Sequence, residues 1–367
     1  MSPVIRRWKR RLPTLMALMP ALLFAMPAFA LNFTDPAGLA DTAEPGSVLV
    51  YPKFSSESVV VDAGTGGQFT APRTEIELGA VCPKNVLCSD DIVRVRVHWV
   101  CPGTSQTSAS VCQETDFDVR LSVNGKLRFN PSGIAMDGGT TVAQAPCTRG
   151  YAIAWVIDNF GRPIKFDGLI GDAVLRNTAT VLESYSALAI QADPALENKA
   201  LISTGTDASG ALVLPFDGGS GHYQMVTGQI SGDVRYDQDD TRPFADTFLI
   251  LLTLDVRSNL LNQPIDVALD FYNQNEVLES TAIRFVCWTQ TQLSTLDSNL
   301  TRAIMGTPKG VVVSGQAVQE PNFGFTTLLG LIQTIESPVG GAANQTRTYN
   351  IRPSNNSIPI ATSFVAF

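Results

Sequence analysis

Alternation of apolar and polar residues is the main pattern along the chain. In the run VRVRVHW, residues 93–99, Trp99 and the three valines fall on one face of a strand, and Arg94, Arg96 and His98 fall on the other. We expect the first face to be buried and the second to be solvated. Further strands are predicted at 248–256, 265–272 and 310–313. The pattern is typical of an all-β fold of antiparallel sheets.

Two local signals add detail to this pattern. Asn124-Gly125, between DFDVRLSV and KLRFN, predicts a two-residue hairpin turn, because these residue types accept positive backbone φ angles. The segment from Asp193 to Leu201 is the best candidate for a short helix. Helical pattern is otherwise scarce.

The stretch GYAIAWVIDNFGRPIKFDGLIGDAVLR, residues 150–176, is the most strongly patterned. It predicts a strand at 151–157, a turn at 158–163 and an extended return. The corresponding part of the second half, FGFTTLLGLIQTIE, has an apolar strand but no such turn. A function peculiar to the first half is therefore expected at 158–172, with candidate ligand-binding residues Asp158, Asp167 and Asp172.

Sequence landmarks in the two halves recur in order. GSVLVYPKF begins at Gly46 and GHYQMVTGQ at Gly221, which is 221 minus 46, or 175 residues later; Cys112 and Cys287 are also 175 apart. We therefore predict two tandem antiparallel β-sandwich domains of immunoglobulin-like type, with internal duplication as a hypothesis for their origin. The predicted divisions are a signal peptide at 1–30, an N-terminal segment at 31–45, domain 1 at 46–190, a linker at 191–220, domain 2 at 221–350 and a C-terminal tail or last strand at 351–367.

Residues 1–30 have the features of a secretory signal peptide. A basic region is followed by the apolar stretch LMALMPALLFAMP and an Ala28-Phe29-Ala30 cleavage site. We expect a mature chain that starts at Leu31, lacks a transmembrane segment and resides in the periplasm, on the cell surface or in the medium. Removal of five basic residues leaves 21 basic and 34 acidic ones, a net charge of −13. Such acidity argues against nucleic acid as a partner, because nucleic-acid binding depends on basic patches.

Six cysteines in the mature chain indicate an oxidising compartment. Six cysteines allow 15 connectivities, and the sequence does not choose among them. Spacing makes Cys82 with Cys88, and Cys101 with Cys112, the easiest pairs to close, which leaves Cys147 and Cys287. A metal site is the alternative, but the sequence has no C-x-x-C.

Catalytic signatures are mostly absent from the sequence. It has no G-x-S-x-G, H-E-x-x-H, Walker or haem-attachment motif, and only two histidines. We expect no catalytic residues and no cofactor, with calcium as the one exception considered. Asp116 and Asp118 share a strand face and could bind a cation, but Arg120 on that face offers them an ion pair.

The segment RYDQDDTRP resembles a calcium-binding loop in its spacing of oxygen ligands. Its aspartates do not fit the EF-hand pattern, since Arg242 stands where glycine is needed and Phe248 where glutamate is needed. A nonstandard calcium site and an ordinary acidic loop both remain open. The candidate metal ligands are Asp237, Asp239 and Asp240.

Several segments, GSVLVYPKF, HWVCPG, GRPIKFDGLIGDAVLR, HYQMVTGQISGDVRYD and FVCWTQTQL, resemble a family of exported bacterial β-rich proteins to which no activity is attached. The resemblance implies export and a β-rich fold, and it implies no functional residue. The leading hypothesis is a non-enzymatic structural, adhesive or interaction protein of the bacterial envelope, with an envelope or extracellular protein or glycan as partner. The alternatives are a carbohydrate- or small-ligand-binding sandwich, with exposed aromatics lining a groove, and a carboxylate-dependent hydrolase, with converging carboxylates that lack an arginine partner.

Overall fold

Antiparallel strands account for most of the protein in this computed structural model. The structure describes residues 43–56, 60–61, 68–69, 73–88, 91–137, 139–177, 180–206, 210–234, 247–257, 260–300, 302–305, 311–318, 327–336, 345–353 and 364–366. The prediction of an all-β fold is confirmed. The predicted signal peptide lies outside the described residues.

The first half of the chain contains eleven strands among its described residues. They are β1 Val48–Ser55, β2 Val60–Val61, β3 Gln68–Phe69, β4 Arg73–Ala80, β5 Ile92–Gly103, β6 Ser110–Ser122, β7 Lys126–Phe129, β8 Arg149–Ile157, β9 Leu169–Asn177, β10 Thr180–Ser186 and β11 Leu188–Ile190.

The remaining described elements are thirteen strands and two short helices. The strands are β12 Gly205–Thr206, β13 Leu212–Pro215, β14 Gln229–Val234, β15 Thr247–Leu252, β16 Val256–Arg257, β17 Leu261–Asn262, β18 Ile265–Asn273, β19 Leu278–Phe285, β20 Trp288–Gln292, β21 Val311–Ala317, β22 Leu329–Glu336, β23 Gln345–Pro353 and β24 Phe364–Ala366. The helices are α1 Leu293–Leu296 and α2 Arg302–Met305.

The two halves have the same strand order. In the first half, one sheet contains β1-β8-β5-β6 and the other is β10-β9-β4-β7. In the second half, the corresponding orders are β14-β21-β18-β19 and β23-β22-β15-β20. The two four-stranded sets of the second half together form one eight-stranded sheet, because β14 also pairs with β23.

The 175-residue spacing of the sequence landmarks fits this correspondence only in part. It holds for β4 and β15, whose starts differ by 247 minus 73, or 174. It does not hold for β1 and β14, which differ by 229 minus 48, or 181, nor for β8 and β21, which differ by 311 minus 149, or 162. Loops of unequal length therefore separate equivalent strands, and the landmarks matched by eye are not all equivalent positions.

An aromatic core joins the two sheets of the first half. The Trp99 ring lies 4.9 Å from the ring of Phe54 and 5.8 Å from that of Phe129, and all three side chains are buried. The indole Nε1 of Trp99 donates a hydrogen bond to the Ala143 carbonyl at 2.9 Å, so its one polar group is satisfied. The prediction that Trp99 and the valine face of β5 are buried is confirmed.

The opposite face of this central sheet is covered by the second half. Strands β15, β20 and β22 contact β1, β5 and β8. Trp288 Nε1 donates to the Pro52 carbonyl at 2.8 Å, and the Tyr151 hydroxyl donates to the Thr253 carbonyl at 3.0 Å. As a result, every residue of β1 is buried rather than every second one. Residues 36–367 form one compact unit.

Two local predictions differ from the structure. Asn124 does adopt positive φ, but β7 pairs with β4 instead of β6. Asn124 N and Gly125 O both bond to the Ala80 backbone, so the turn carries the chain from one sheet to the other. Residues 193–201 are not helical, because the Asp193 carboxylate holds a turn by accepting from Ala195 N, and Lys199 adopts φ 66°.

Three disulfides link all six cysteines. Cys82 bonds to Cys88, which agrees with the spacing. The expected pairing of Cys101 with Cys112 is wrong: Cys101 bonds to Cys147, and Cys112 bonds to Cys287, 175 residues away. The physical reason is strand pairing. Strand β5, which contains Cys101, pairs with β8, and Cys147 lies just before β8. The start of β6, which contains Cys112, pairs with β17 of the second half. Cys112 lies near the start of β6, whereas Cys287 follows the end of β19, the strand that corresponds to β6, so the two cysteines are not equivalent positions of a repeat.

Among the described residues, no helix has the length and apolar character needed to cross a membrane.

Candidate interaction surface

The Asp158 carboxylate organises the turn that follows β8. Its Oδ1 accepts hydrogen bonds from Phe160 N at 2.8 Å and Arg162 N at 2.9 Å, and its Oδ2 accepts from Arg162 Nε at 2.8 Å. Burial alone would raise the pKa of Asp158, but these hydrogen bonds together lower it. Gly161, at φ +82°, supplies the left-handed conformation that closes the turn. Asp158 therefore holds the turn.

Phe160 projects from this turn into solvent. Its exposure is 83%, and the Arg162 guanidinium lies over its ring at 5.2 Å from the centroid. A large apolar side chain gains nothing for folding by such exposure, and the turn around it is fixed by hydrogen bonds. The result is an aromatic side chain presented on a well-defined backbone.

A group of arginines lies beside the turn on the outer face of β5 and β6. The Asp118 carboxylate accepts from Arg94 Nη2 at 2.5 Å and from Arg96 Nε at 2.9 Å. Burial raises the pKa of Asp118, but the hydrogen bonds from Arg96 and then Arg94 outweigh this effect and lower it. Arg94 Nη1 also donates to the Asn159 carbonyl at 3.3 Å, which connects this group to the turn.

Arg120 completes the group without taking the partner expected for it. It lies directly opposite Arg94 in the β5–β6 ladder and is exposed. The expected ion pair of Arg120 with Asp116 or Asp118 does not form within the part of the chain that the structure describes, because Asp118 is engaged by Arg94 and Arg96. We call this group the turn surface; its members are Ile92, Arg94, Arg96, Asp116, Asp118, Arg120, Asp158, Phe160 and Arg162.

The expectation that His98 lies on a solvated face is wrong. Its side chain is buried, its Nδ1 is 3.5 Å from Glu114 Oε2, and its ring is 4.7 Å from the Trp155 ring. The outer face of the sheet is open at Arg94 and Arg96, which are partly exposed. Near His98 it is closed, because β20 packs against β5 and β8.

Asp167 and Asp172 each have their own partners and do not join Asp158. Asp167 Oδ1 accepts from Ser47 Oγ at 2.7 Å and Ala192 N at 2.9 Å. Asp172 Oδ1 accepts from Ser186 Oγ at 2.8 Å, a contact between the neighbouring strands β9 and β10. Both contacts fasten segments of the first half to each other.

The candidate calcium ligands Asp237, Asp239 and Asp240 lie outside the described residues. Within the described ranges, no group of three or more His, Cys, Asp or Glu side chains has the arrangement of a metal site. Asp116 lies 4.0 Å from Arg96 Nε, so an arginine competes for the carboxylate that a cation would use.

No protein-family model, curated protein or solved structure matches the chain. The turn surface is therefore interpreted from its own chemistry. The sequence indicated the turn and Asp158, but the grouping of Arg94, Arg96 and Asp118 depends on strand register. One signal was available: a phenylalanine within an otherwise polar turn, DNFGRP.

Proposed function

We propose that the protein is an exported, non-enzymatic interaction protein, structural or adhesive, that binds its partner through the turn surface. The protein is proposed to function in the periplasm, on the cell surface or in the medium. Three disulfides support export, because such bonds persist in oxidising compartments.

We further propose that the chain consists of two related sandwich domains that arose by duplication. The supporting observation is the strand order: eight strands of each half follow the same sequence of neighbours in two four-strand sets. Sequential strands most often become neighbours, so a shared order with the same long crossings is better explained by common origin than by chance. Immunoglobulin-like sandwiches likewise place successive strands in two sheets.

The observation that carries the functional proposal is Phe160, 83% exposed on a turn that Asp158 fixes. Aromatic and arginine side chains on a rigid backbone are the residues that contribute most to binding, since they lose little entropy when a partner docks. The carboxylate-dependent hydrolase fits less well, because Asp118 and Asp158 are each paired with arginine.

The proposal is tested by sedimentation of the purified full chain, exported through its own signal segment, with bacterial envelope fractions. Phe160→Ala is expected to reduce the bound fraction at least about fivefold, the loss of about 1 kcal/mol or more that a hot-spot side chain contributes. Leu261→Ala is the matched control, since Leu261 is also exposed but pairs with Val111 at the far end of β6.

Mass spectrometry of the exported chain should give Leu31 as its first residue. Equal bound fractions for Phe160→Ala and Leu261→Ala, with both variants folded by circular dichroism, would contradict the proposal. So would the absence of wild-type protein from every envelope pellet.

A further inference from the structure

We propose that the partner of the turn surface is an anionic polysaccharide, bound through its carboxylates; this inference rests on the proposed function. Guanidinium groups match carboxylates in shape and charge, and they bind them with paired hydrogen bonds. The turn surface contains four of these groups, those of Arg94, Arg96, Arg120 and Arg162.

The spacing of the arginines suits a polymer. Arg94 and Arg96 are two residues apart on β5, which places them about 6.6 Å apart along the strand. Arg120 stands directly across from Arg94. Like charges at opposed positions destabilise a sheet. Asp118 offsets the charge of Arg94, whereas Arg120 has no ion pair with any described residue, so an anion that binds between the strands would offset its charge.

The guanidinium groups are held in place while they keep free donors. Asp118 and Asp158 engage Nη2 of Arg94, Nε and Nη2 of Arg96, and Nε and Nη2 of Arg162. An arginine has five N–H donors, so each of these three retains several. Arg120 forms no ion pair with any described residue and offers all five.

The layout favours a polysaccharide over a protein. Protein interfaces have an apolar centre that is depleted in charge, with polar groups at the rim. Here seven of the nine side chains of the turn surface are charged, and the two large apolar ones, Ile92 and Phe160, are 69% and 83% exposed. An exposed aromatic ring beside a row of arginines fits an extended chain of sugars, whose C–H faces can stack on the ring.

The charge balance sets the expected strength of binding. Four guanidinium groups face the three carboxylates of Asp116, Asp118 and Asp158, and the whole chain has a net charge of −8. A local surplus of one positive charge on an acidic protein implies weak binding that salt screens.

Calorimetry of the full chain with polygalacturonate fragments at about 20 mM salt tests the inference. We expect binding that weakens at least about fivefold in Arg120→Ala and in Phe160→Ala, and that is lost at about 300 mM salt. Arg73→Ala is the matched control, since Arg73 is exposed at the start of β4, in the other sheet. Neutral maltodextrin should not bind.

Three outcomes would overturn the inference. They are no polygalacturonate binding at low salt, equal effects of Arg120→Ala and Arg73→Ala, and equal binding of maltodextrin. If Phe160→Ala still abolishes envelope binding in any of these cases, the proposed function stands and the partner is of another class, such as a protein.

The disulfide connectivity carries a second, independent inference: we infer that the protein depends on a thiol–disulfide isomerase. Cysteines oxidised in the order in which they emerge would form Cys101–Cys112 and Cys147–Cys287. The native bonds are Cys101–Cys147 and Cys112–Cys287. The premature Cys101–Cys112 bond is easy to form, because Cys112 lies opposite Gly103, two residues from Cys101, on a neighbouring strand.

Correction requires exchange and no net oxidation. A thiolate of the isomerase attacks the Cys101–Cys112 bond, forming a mixed disulfide with one cysteine and releasing the other as a thiolate. The released thiolate then attacks another disulfide of the chain, and a later attack on the mixed disulfide regenerates the isomerase thiolate. One S–S bond breaks and one forms at each exchange, while the first oxidation is supplied by a thiol oxidase.

Export of the full chain in bacterial hosts with and without a periplasmic isomerase tests this second inference. Disulfide mapping should show at least a fivefold loss of Cys112–Cys287 without the isomerase. The double variant Cys112→Ser/Cys287→Ser leaves only the pairs 82–88 and 101–147, which are consecutive, so its mapping should not depend on the isomerase. Equal mapping of the wild type in the two hosts would overturn the inference, as would an equal dependence of the double variant.

Discussion

Asp158 shows how much one carboxylate can determine at the tip of a strand. It accepts two backbone hydrogen bonds and engages one guanidinium, and so fixes both the turn and the position of Arg162. The sequence identified this residue as a candidate for ligand binding. Its contacts show that it holds the turn, and its role in ligand binding stays a prediction.

Replacement of Asp158 should weaken the turn. We expect Asp158→Ala to lower the free energy of unfolding by about 1–2 kcal/mol, because two backbone N–H groups and a guanidinium lose their acceptor. Asp158→Asn keeps one acceptor oxygen and should cost less. Urea unfolding of both variants measures the difference, and an unchanged stability of Asp158→Ala would show that the turn is held by other contacts.

Prediction at the residue scale succeeded where the relevant contacts are local. The NFGRP sequence indicates its turn because Asn, Gly and Pro have strong backbone preferences. Arg94, Arg96 and Asp118 belong to strands whose register the sequence does not specify, so their ion pairs could not be predicted. The burial of His98 depends on β20, a strand almost 200 residues further along the chain.

Strand β8 illustrates the constraints on a single element. All but its first residue are buried, and it pairs with β1 on one side and β5 on the other. At Gly150 a Cβ would lie 2.1 Å from the Val100 carbonyl oxygen and 3.0 Å from the Phe54 ring. Only glycine allows β5 and β8 to approach this closely.

A side chain at position 150 should therefore disrupt the central sheet. We expect Gly150→Ala to destabilise the protein by about 2 kcal/mol or more, because backbone as well as side chains must move. Gly205→Ala is the matched control, since a Cβ on Gly205 in β12 meets only Val213 at 3.9 Å. Thermal unfolding compares the two; similar midpoints would mean that the sheet yields at Gly150 without cost.

At the element scale, hydrophobic periodicity predicted where a strand lies and which of its faces is buried. It did not predict which strand it pairs with. Residues 93–99 alternate and form a strand with one face in the core, as expected. A turn does occur at Asn124-Gly125, with positive φ at Asn124, but the predicted hairpin pairing is wrong, because a turn specifies the local backbone and not the sheet that the next strand joins. The predicted helix at 193–201 failed because its Asp193 also accepts from Gly221 N, a tertiary contact.

On the scale of the whole molecule, the two halves are fastened to each other at several places. Cys112 bonds to Cys287, β17 pairs with β6, and the second half covers the outer face of β1 and β8. The sequence predicted two domains from recurring landmarks, and those divisions stay a prediction. What the landmarks could not indicate is the extent of the contact between the halves, since both faces of β1 read simply as apolar.

The long disulfide should contribute more to stability than the short one. In the chain-entropy account, a loop of 175 residues is worth about 5 kcal/mol and a loop of 6 residues about 2 kcal/mol. We expect Cys112→Ser/Cys287→Ser to lower the free energy of unfolding by more than Cys82→Ser/Cys88→Ser does. Guanidinium unfolding under non-reducing conditions gives both values, and the reverse order would contradict the entropic account for this protein.

The Cys112–Cys287 bond also decides how the protein would respond to mechanical force. When tension is applied at the two ends of the chain, the load passes from Cys112 directly to Cys287. The 175 residues between them, about 600 Å of extended chain, cannot be pulled out unless that covalent bond is cleaved. The turn at 158–162 lies within this bypassed loop, so tension on the ends does not stretch the segment that presents Phe160, whereas Arg94 and Arg96 precede Cys112 and lie on the loaded part of the chain.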